Sequence, residues 1–117
     1  MAITHATPGT VIDVQPLGAT LATTRTRALF KSGDLELIRV VLLAGDQMPA
    51  HVVAGEITVQ CIEGRISFTC DAGVRELAAG QLIHVVGGEM HALRGLENSS
   101  LLLTIALKKN TQAQMPE

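Results

Sequence analysis

The chain has 117 residues, 47% of them apolar and only 17% charged, with 9 Lys and Arg against 11 Asp and Glu and a net charge of -2. That length predicts one domain, able to bury a core without disulfide staples. The near-neutral balance gives no basic surface for nucleic acid or anionic lipid. No apolar run approaches the roughly 20 residues that a membrane-spanning helix requires. So low a charge content, against about a quarter in ordinary domains, predicts apolar surface hidden between subunits, and a homodimer is expected.

In chain order, Met1–Gly9 reads as a polar, flexible start in which His5 is a surface residue. It lacks the charged beginning and apolar middle of a signal peptide, so a cytoplasmic location is expected. Thr10–Val14 is a candidate strand, stopped by Pro16 and Gly18, and a Thr-rich stretch follows at Leu21–Thr26. Ala28–Lys31 and Leu35–Leu43 are β-rich runs separated by the turn signal Ser32-Gly33-Asp34. Ala44-Gly45-Asp46 ends the second run.

Ile57–Ile62 and Arg65–Cys70 are predicted strands on either side of Glu63-Gly64. In the latter, Ile66, Phe68 and Cys70 alternate with Arg65, Ser67 and Thr69, the period-2 signature of a sheet with one dry face. Further strands are predicted over Val74–Leu77, Leu82–Val86, His91–Leu93 and Ser99–Leu107, with glycine at most turns. Residues 109–117 read as a polar tail. Many short strands at this spacing, without a capped helical stripe, predict an all-β sandwich or barrel.

Two cysteines, Cys61 and Cys70, raise the question of a disulfide. If Glu63-Gly64 closes a hairpin, Cys61 faces Ile66 and Cys70 faces Ile57. The two thiols are then roughly 13 Å apart at strand rise, beyond the about 7 Å between Cα atoms that a bridge spans. Free thiols are expected.

Two segments carry candidate chemistry, Gly45–Gly64 and Gly80–Gly95. In an extended strand, residues two apart share a face. Ile57, Val59 and Cys61 are therefore predicted inward, and His51 and Val53 join them if parity survives Ala54-Gly55. Glu56 has the opposite parity and faces outward unless a bulge re-aims it. His91, after Gly87-Gly88, is the matching histidine of the second segment. His84 is expected to be packed or at the surface. Met48 and Met90 flank the two histidines and are candidates for a pocket mouth. Arg39 and Arg94 are candidate anion contacts for which surface positions are expected. With no Trp, no Tyr and only Phe30 and Phe68 as aromatics, a sugar platform is not expected.

These two segments resemble the paired motifs of small single-domain cupins. The first has Gly45, five residues, His51-Val52-Val53, then Glu56 and Gly64; the second has Gly80, five residues, Val86-Gly87-Gly88, and His91 followed by Gly95. The resemblance covers about residues 35–107. It implies an all-β double-stranded β-helix, a jelly-roll cupin barrel, usually dimeric. It also implies a metal site for Fe, Mn, Ni or Zn built from three histidines and a glutamate. Here His51 and His91 match two of those ligands. Val53 stands where another histidine belongs, and Ile57 where the glutamate belongs, with Glu56 one residue early.

A barrel cavity lined by His51, Val53, Ile57, Val59, Cys61 and His91 is the resulting candidate pocket. A small, mostly apolar ligand is the first expectation for it. A metal-dependent dioxygenase or isomerase using His51, His91 and Glu56 is the alternative, since two imidazoles and a carboxylate suit non-haem iron. A structural or oligomerisation module without a ligand is the third.

Overall fold

The computed structural model describes residues 5–107. The terminal segments 1–4 and 108–117, including the whole predicted polar tail, lie outside the described residues.

A 3-10 helix over Gly18–Thr23 precedes nine strands: β1 Arg27–Lys31, β2 Leu35–Leu42, β3 Gln47–His51, β4 Ile57–Glu63, β5 Arg65–Cys70, β6 Gly73–Ala78, β7 Leu82–Val85, β8 His91–Gly95 and β9 Ser99–Ala106. All pairings are antiparallel. One sheet runs β1-β2-β9-β4-β7 and the other β3-β8-β5-β6. The chain passes from sheet to sheet after β2, β3, β4, β6, β7 and β8. This is the jelly-roll arrangement that the strand spacing and the motif resemblance predict.

The period-2 alternation does the sorting. Ile57, Val59 and Cys61 of β4, Ile66 and Phe68 of β5, Leu93 of β8 and Leu101 and Leu103 of β9 face one another as a single buried cluster. Val59, Cys61, Ile66, Phe68 and Leu101 have no exposed surface at all. Met48, Val53, Ile83 and Ile105 pack around the cluster's edge.

Two expectations are corrected here, and a third point adds a strand that was not anticipated. Thr10–Val14 forms no strand; the first regular element is the 3-10 helix after Pro16, where Thr20, Thr23 and Thr24 hydroxyls donate to backbone carbonyls of that helix and the turn before it. Threonine hydroxyls that bond their own backbone compete with a sheet ladder. Second, β4 and β5 are not a hairpin. Gly64, at φ +85°, turns the chain out of one sheet and into the other. A Cβ there would collide with the Asn98 and Ser99 backbone, so glycine is required at the corner. Cys61 consequently lies opposite Leu101 of β9, and both cysteines are free. Third, β3 is an additional strand at the edge of its sheet, where Pro49 is tolerated because its missing N–H faces no ladder.

Among the described residues no helix is long and apolar enough to cross a membrane.

Candidate functional site

β3 ends at His51 and β8 begins at His91, and antiparallel pairing sets the two directly opposite each other. Their rings meet edge to face, with centroids 4.3 Å apart and planes inclined at 62°. The His91 ring in turn lies parallel to Phe68 of β5, 5.8 Å away. A column of three rings thus rises from the centre of the core to the end of the barrel. His91 is buried and His51 half-buried.

Each imidazole is held by the same device. Nδ1 of His51 lies 3.0 Å from the Pro49 carbonyl, and Nδ1 of His91 lies 3.2 Å from the Glu89 carbonyl. A carbonyl oxygen only accepts, so both Nδ1 atoms carry the proton and donate it. In the neutral ring Nε2 is then a lone-pair acceptor. No hydrogen bond engages either Nε2 among the described residues. Burial pushes the His91 pKa below the ordinary histidine value, and the neighbouring His51 lowers it further, against the raising effects of the Glu89 carbonyl and carboxylate. His91 is therefore neutral at pH 7.

The cavity beside this pair is small, about 140 Å³, and is lined by Ala50, Thr69, Cys70, Asp71, Met90 and His91 among others; His51, expected in the lining, does not border it. Met90 borders this cavity and Met48 does not. Cys70 and Thr69 were not anticipated as lining residues. The signal was present in the alternation of β5, which turns Cys70 to the same side as Phe68. The pairing of Thr69 with Ala92 then brings Cys70 level with His91.

Ile57, Val59 and Cys61 do not line a cavity with the histidines. They are 2%, 0% and 0% exposed and belong to the packed cluster. The side chains of β5, β8 and β9 fill the space that the parity argument assigned to a ligand. Burial also raises the Cys61 pKa, and its thiol donates to the Glu63 and Gly64 carbonyls, so it is a neutral packing group. Val53 is partly buried against the same cluster.

Glu56 faces away from the histidine pair. Its carboxylate accepts a 2.6 Å bond from Nε2 of His84, and both side chains are more than half exposed. The register of β4 with β7 explains the pairing, because Thr58 lies opposite His84 and Ile57 opposite Val85. The glycine expected to permit a bulge serves another end. Gly55 is buried against the Ala106 backbone, where no Cβ fits, and Ala106 donates its N–H to the Glu56 carbonyl. That contact holds β4 at the end of β9 with strand parity intact, so Glu56 stays outside. His84 is at the surface, His5 is exposed, and Arg94 is exposed. Arg39, expected at the surface, is 5% exposed on the outer face of the first sheet.

The donor set does not fit the metal that the motif resemblance implies. Among the described residues no group of three or more His, Cys, Asp or Glu side chains converges. Two imidazoles remain, against the three protein ligands and open position of a usual catalytic site.

None of the family models matches this sequence, and none of the curated proteins does. Solved structures do match. The chain superposes on the conserved SPY1581 protein of unknown function from Streptococcus pyogenes with TM-score 0.71 and 22% identity, covering 93% of this chain and 99% of that one. A cupin superfamily protein from Desulfitobacterium hafniense DCB-2 matches with TM-score 0.71 at 15% identity, over 84% of this chain and 95% of that one. An RmlC-like cupin from Desulfovibrio desulfuricans matches with TM-score 0.65 at 20% identity, over 91% and 97%. At these identities the likeness concerns the fold, which is the cupin jelly roll.

Proposed function

We propose that this cupin-fold chain binds a small, mostly apolar molecule at the open end of its barrel, through His51 and His91 and without a resident metal. The observation that carries this reading is the pair of tethered imidazoles with unengaged Nε2 atoms. Two Nε2 atoms side by side, neither engaged by a protein group, suit a ligand that donates, such as an alcohol or a primary amide. The lining, with Ala50, Ala92, Met90 and Cys70 beside the single carboxylate of Asp71, suits a short hydrocarbon body. A cavity of about 140 Å³ restricts that body to a few carbon atoms beyond the polar group.

The metal-dependent dioxygenase or isomerase loses its third ligand with Glu56 on the outer face. The module without a ligand gains support from the filled barrel centre, but leaves two aligned, unengaged acceptors without a role.

The test is elemental analysis of protein purified without chelator or affinity tag, followed by a thermal-shift screen of short alcohols and amides on the parent and His51→Ala. Binding predicts no stoichiometric metal, and stabilisation of the parent that the variant lacks. Near-stoichiometric metal that His51→Ala loses would restore the enzyme reading. Stabilisation equal in both proteins would place the ligand elsewhere.

A further inference from the structure

The outer face of the first sheet carries a second cavity, remote from the histidine pair in the fold. It has a volume of about 600 Å³ and lies between that face and the segment leading into β1. Three guanidinium groups line it, those of Arg25, Arg27 and Arg39, with a single carboxylate, Asp13. Asp13 is partly engaged, since its Oδ1 accepts the Gln15 N–H at 2.9 Å.

Arg39 is the unusual member. It is 5% exposed, and its one hydrogen bond is from Nη1 to the Ser100 hydroxyl at 3.3 Å. A guanidinium has five N–H donors, and buried charges are ordinarily paired; no buried side-chain nitrogen lacks a partner among the described residues, so the Arg39 nitrogens not bonded to Ser100 retain accessible surface. The nearby carboxylate of Glu63 is committed elsewhere. It accepts N–H bonds from Leu17 at 2.8 Å and Gly18 at 3.1 Å, and a short bond from the Ser100 hydroxyl. Arg39 forms no ion pair with it, nor do Arg25 and Arg27 pair with any carboxylate among the described residues.

The β1–β2 register adds a second observation. Arg27 and Arg39 are Cα partners, so two cations stand directly across the ladder from each other. Like charges in that position are destabilising unless an anion lies between them. The lining's one carboxylate, Asp13, forms no ion pair with either arginine among the described residues, and its threonine hydroxyls are neutral and bound to backbone: Thr24 donates to the Thr20 carbonyl, and Thr26 bonds both backbone groups of Val41. The remaining wall is apolar, from Leu17 and Leu29.

We propose that this cavity binds a small organic carboxylate, held in the fork of Arg39 and Arg27 with its hydrocarbon part against Leu17 and Leu29. The guanidinium fork matches the two oxygens of a carboxylate. The volume lies within the usual range of about 300–1,000 Å³ for small-molecule sites. Inorganic phosphate offers the same anionic oxygens but nothing for the leucines to contact.

Calorimetric titration of the full chain in a chloride buffer tests this, with sodium hexanoate as the probe and inorganic phosphate beside it. Hexanoate is expected to bind at one site per chain and phosphate more weakly. Arg27→Gln is expected to weaken hexanoate about tenfold, in line with the loss of one charge-assisted bond. Arg39→Gln, which keeps a donor toward Ser100, is expected to abolish it, and His51→Ala to leave it unchanged. Arg27 is exposed, so its variant keeps the fold even where the Arg39 variant does not. Hexanoate binding that Arg27→Gln leaves intact overturns the proposal, as does binding lost in His51→Ala. Phosphate binding as tight as hexanoate overturns the carboxylate assignment, and no binding of either overturns the site.

Discussion

The two sheets handle buried polarity in opposite ways. At the open end of the barrel, His51 and His91 are rigidly tethered through Nδ1 but leave a titratable nitrogen free. On the outer face of the first sheet, Arg39 and Glu63 carry fixed charge and meet at the Ser100 hydroxyl, with the carboxylate consumed by Ser100 and the N–H groups of Leu17 and Gly18. In the first arrangement His91 is neutral near pH 7 and rests on the aromatic core. The second is ionised and ties the N-terminal segment to the barrel. The difference teaches what each costs when disturbed: one should respond to packing and to mild acid, the other to loss of a single partner and to strong acid.

The largest effect should come from removing the platform of the ring column. Phe68 is fully buried and contacts His91 from below. Phe68→Ala is expected to cost about 3–5 kcal/mol in urea denaturation, the usual result of opening a cavity in a packed core. Histidine proton spectra should then show the two rings losing their common environment. On the opposite side, Glu63→Ala is expected to cost about 2–3 kcal/mol, because it strands the Leu17 and Gly18 N–H donors and the Ser100 hydroxyl. Burial alone would raise the Glu63 pKa, but the Ser100 hydroxyl, the two N–H groups and Arg39 outweigh it, leaving it below 4.5. A carboxylate depressed on folding contributes stability that is complete above pH 4.5 and is lost as pH falls through the lower folded value. Glu63→Ala should therefore flatten the acid limb of a stability-against-pH curve below pH 4.5.

The strands were legible because alternation is a local property. Ile66, Phe68 and Cys70 against Arg65, Ser67 and Thr69 already specify a dry face, and β5 obeys it. The pairing of those strands was not legible, because Glu63-Gly64 reads equally as a hairpin turn and as a corner between sheets. What decides is distant: Arg65 donates its N–H to the Ser99 hydroxyl, and its carbonyl accepts from Leu96. The role of Glu63 was hidden for the same reason, its partners Leu17 and Gly18 being 46 and 45 positions away. His51 and His91 were legible through glycine spacing. The cavity beside them was misjudged in depth, since parity says which way Ile57, Val59 and Cys61 point but not that Phe68 and Leu101 fill the space they point into.

A smaller effect separates the two histidines from the fixed-charge network by pH alone. His91 has a folded pKa below 6.5, so the unfolded chain binds the proton more tightly than the folded one. Stability is unaffected well above pH 6.5 and falls as pH drops below it, at up to about 1.4 kcal/mol per pH unit, until the folded value is reached. This is the reverse of a histidine stabilised by a partner carboxylate. His91→Phe, which keeps a flat ring over Phe68, is expected to remove that slope while leaving the acid limb due to Glu63 in place. An unchanged slope would assign the mild-acid loss to another group.

The smallest stability change is expected for His51→Ala, within about 1 kcal/mol, because a half-buried edge-strand side chain loses only one hydrogen bond, to the Pro49 carbonyl. Its informative consequence is on the neighbouring ring. His51 lowers the His91 pKa by charge repulsion but is secondary to burial. Removing it deletes that repulsion and also admits water beside His91, so both changes move the His91 titration upward toward 6.5. Proton spectra followed through pH 4 to 8 measure this directly. An upward shift means that the two imidazoles titrate as an interacting pair, as a shared ligand site requires. No shift would mean that the rings touch without electrostatic coupling, and the binding site would then reduce to His91 and the lining of its cavity alone.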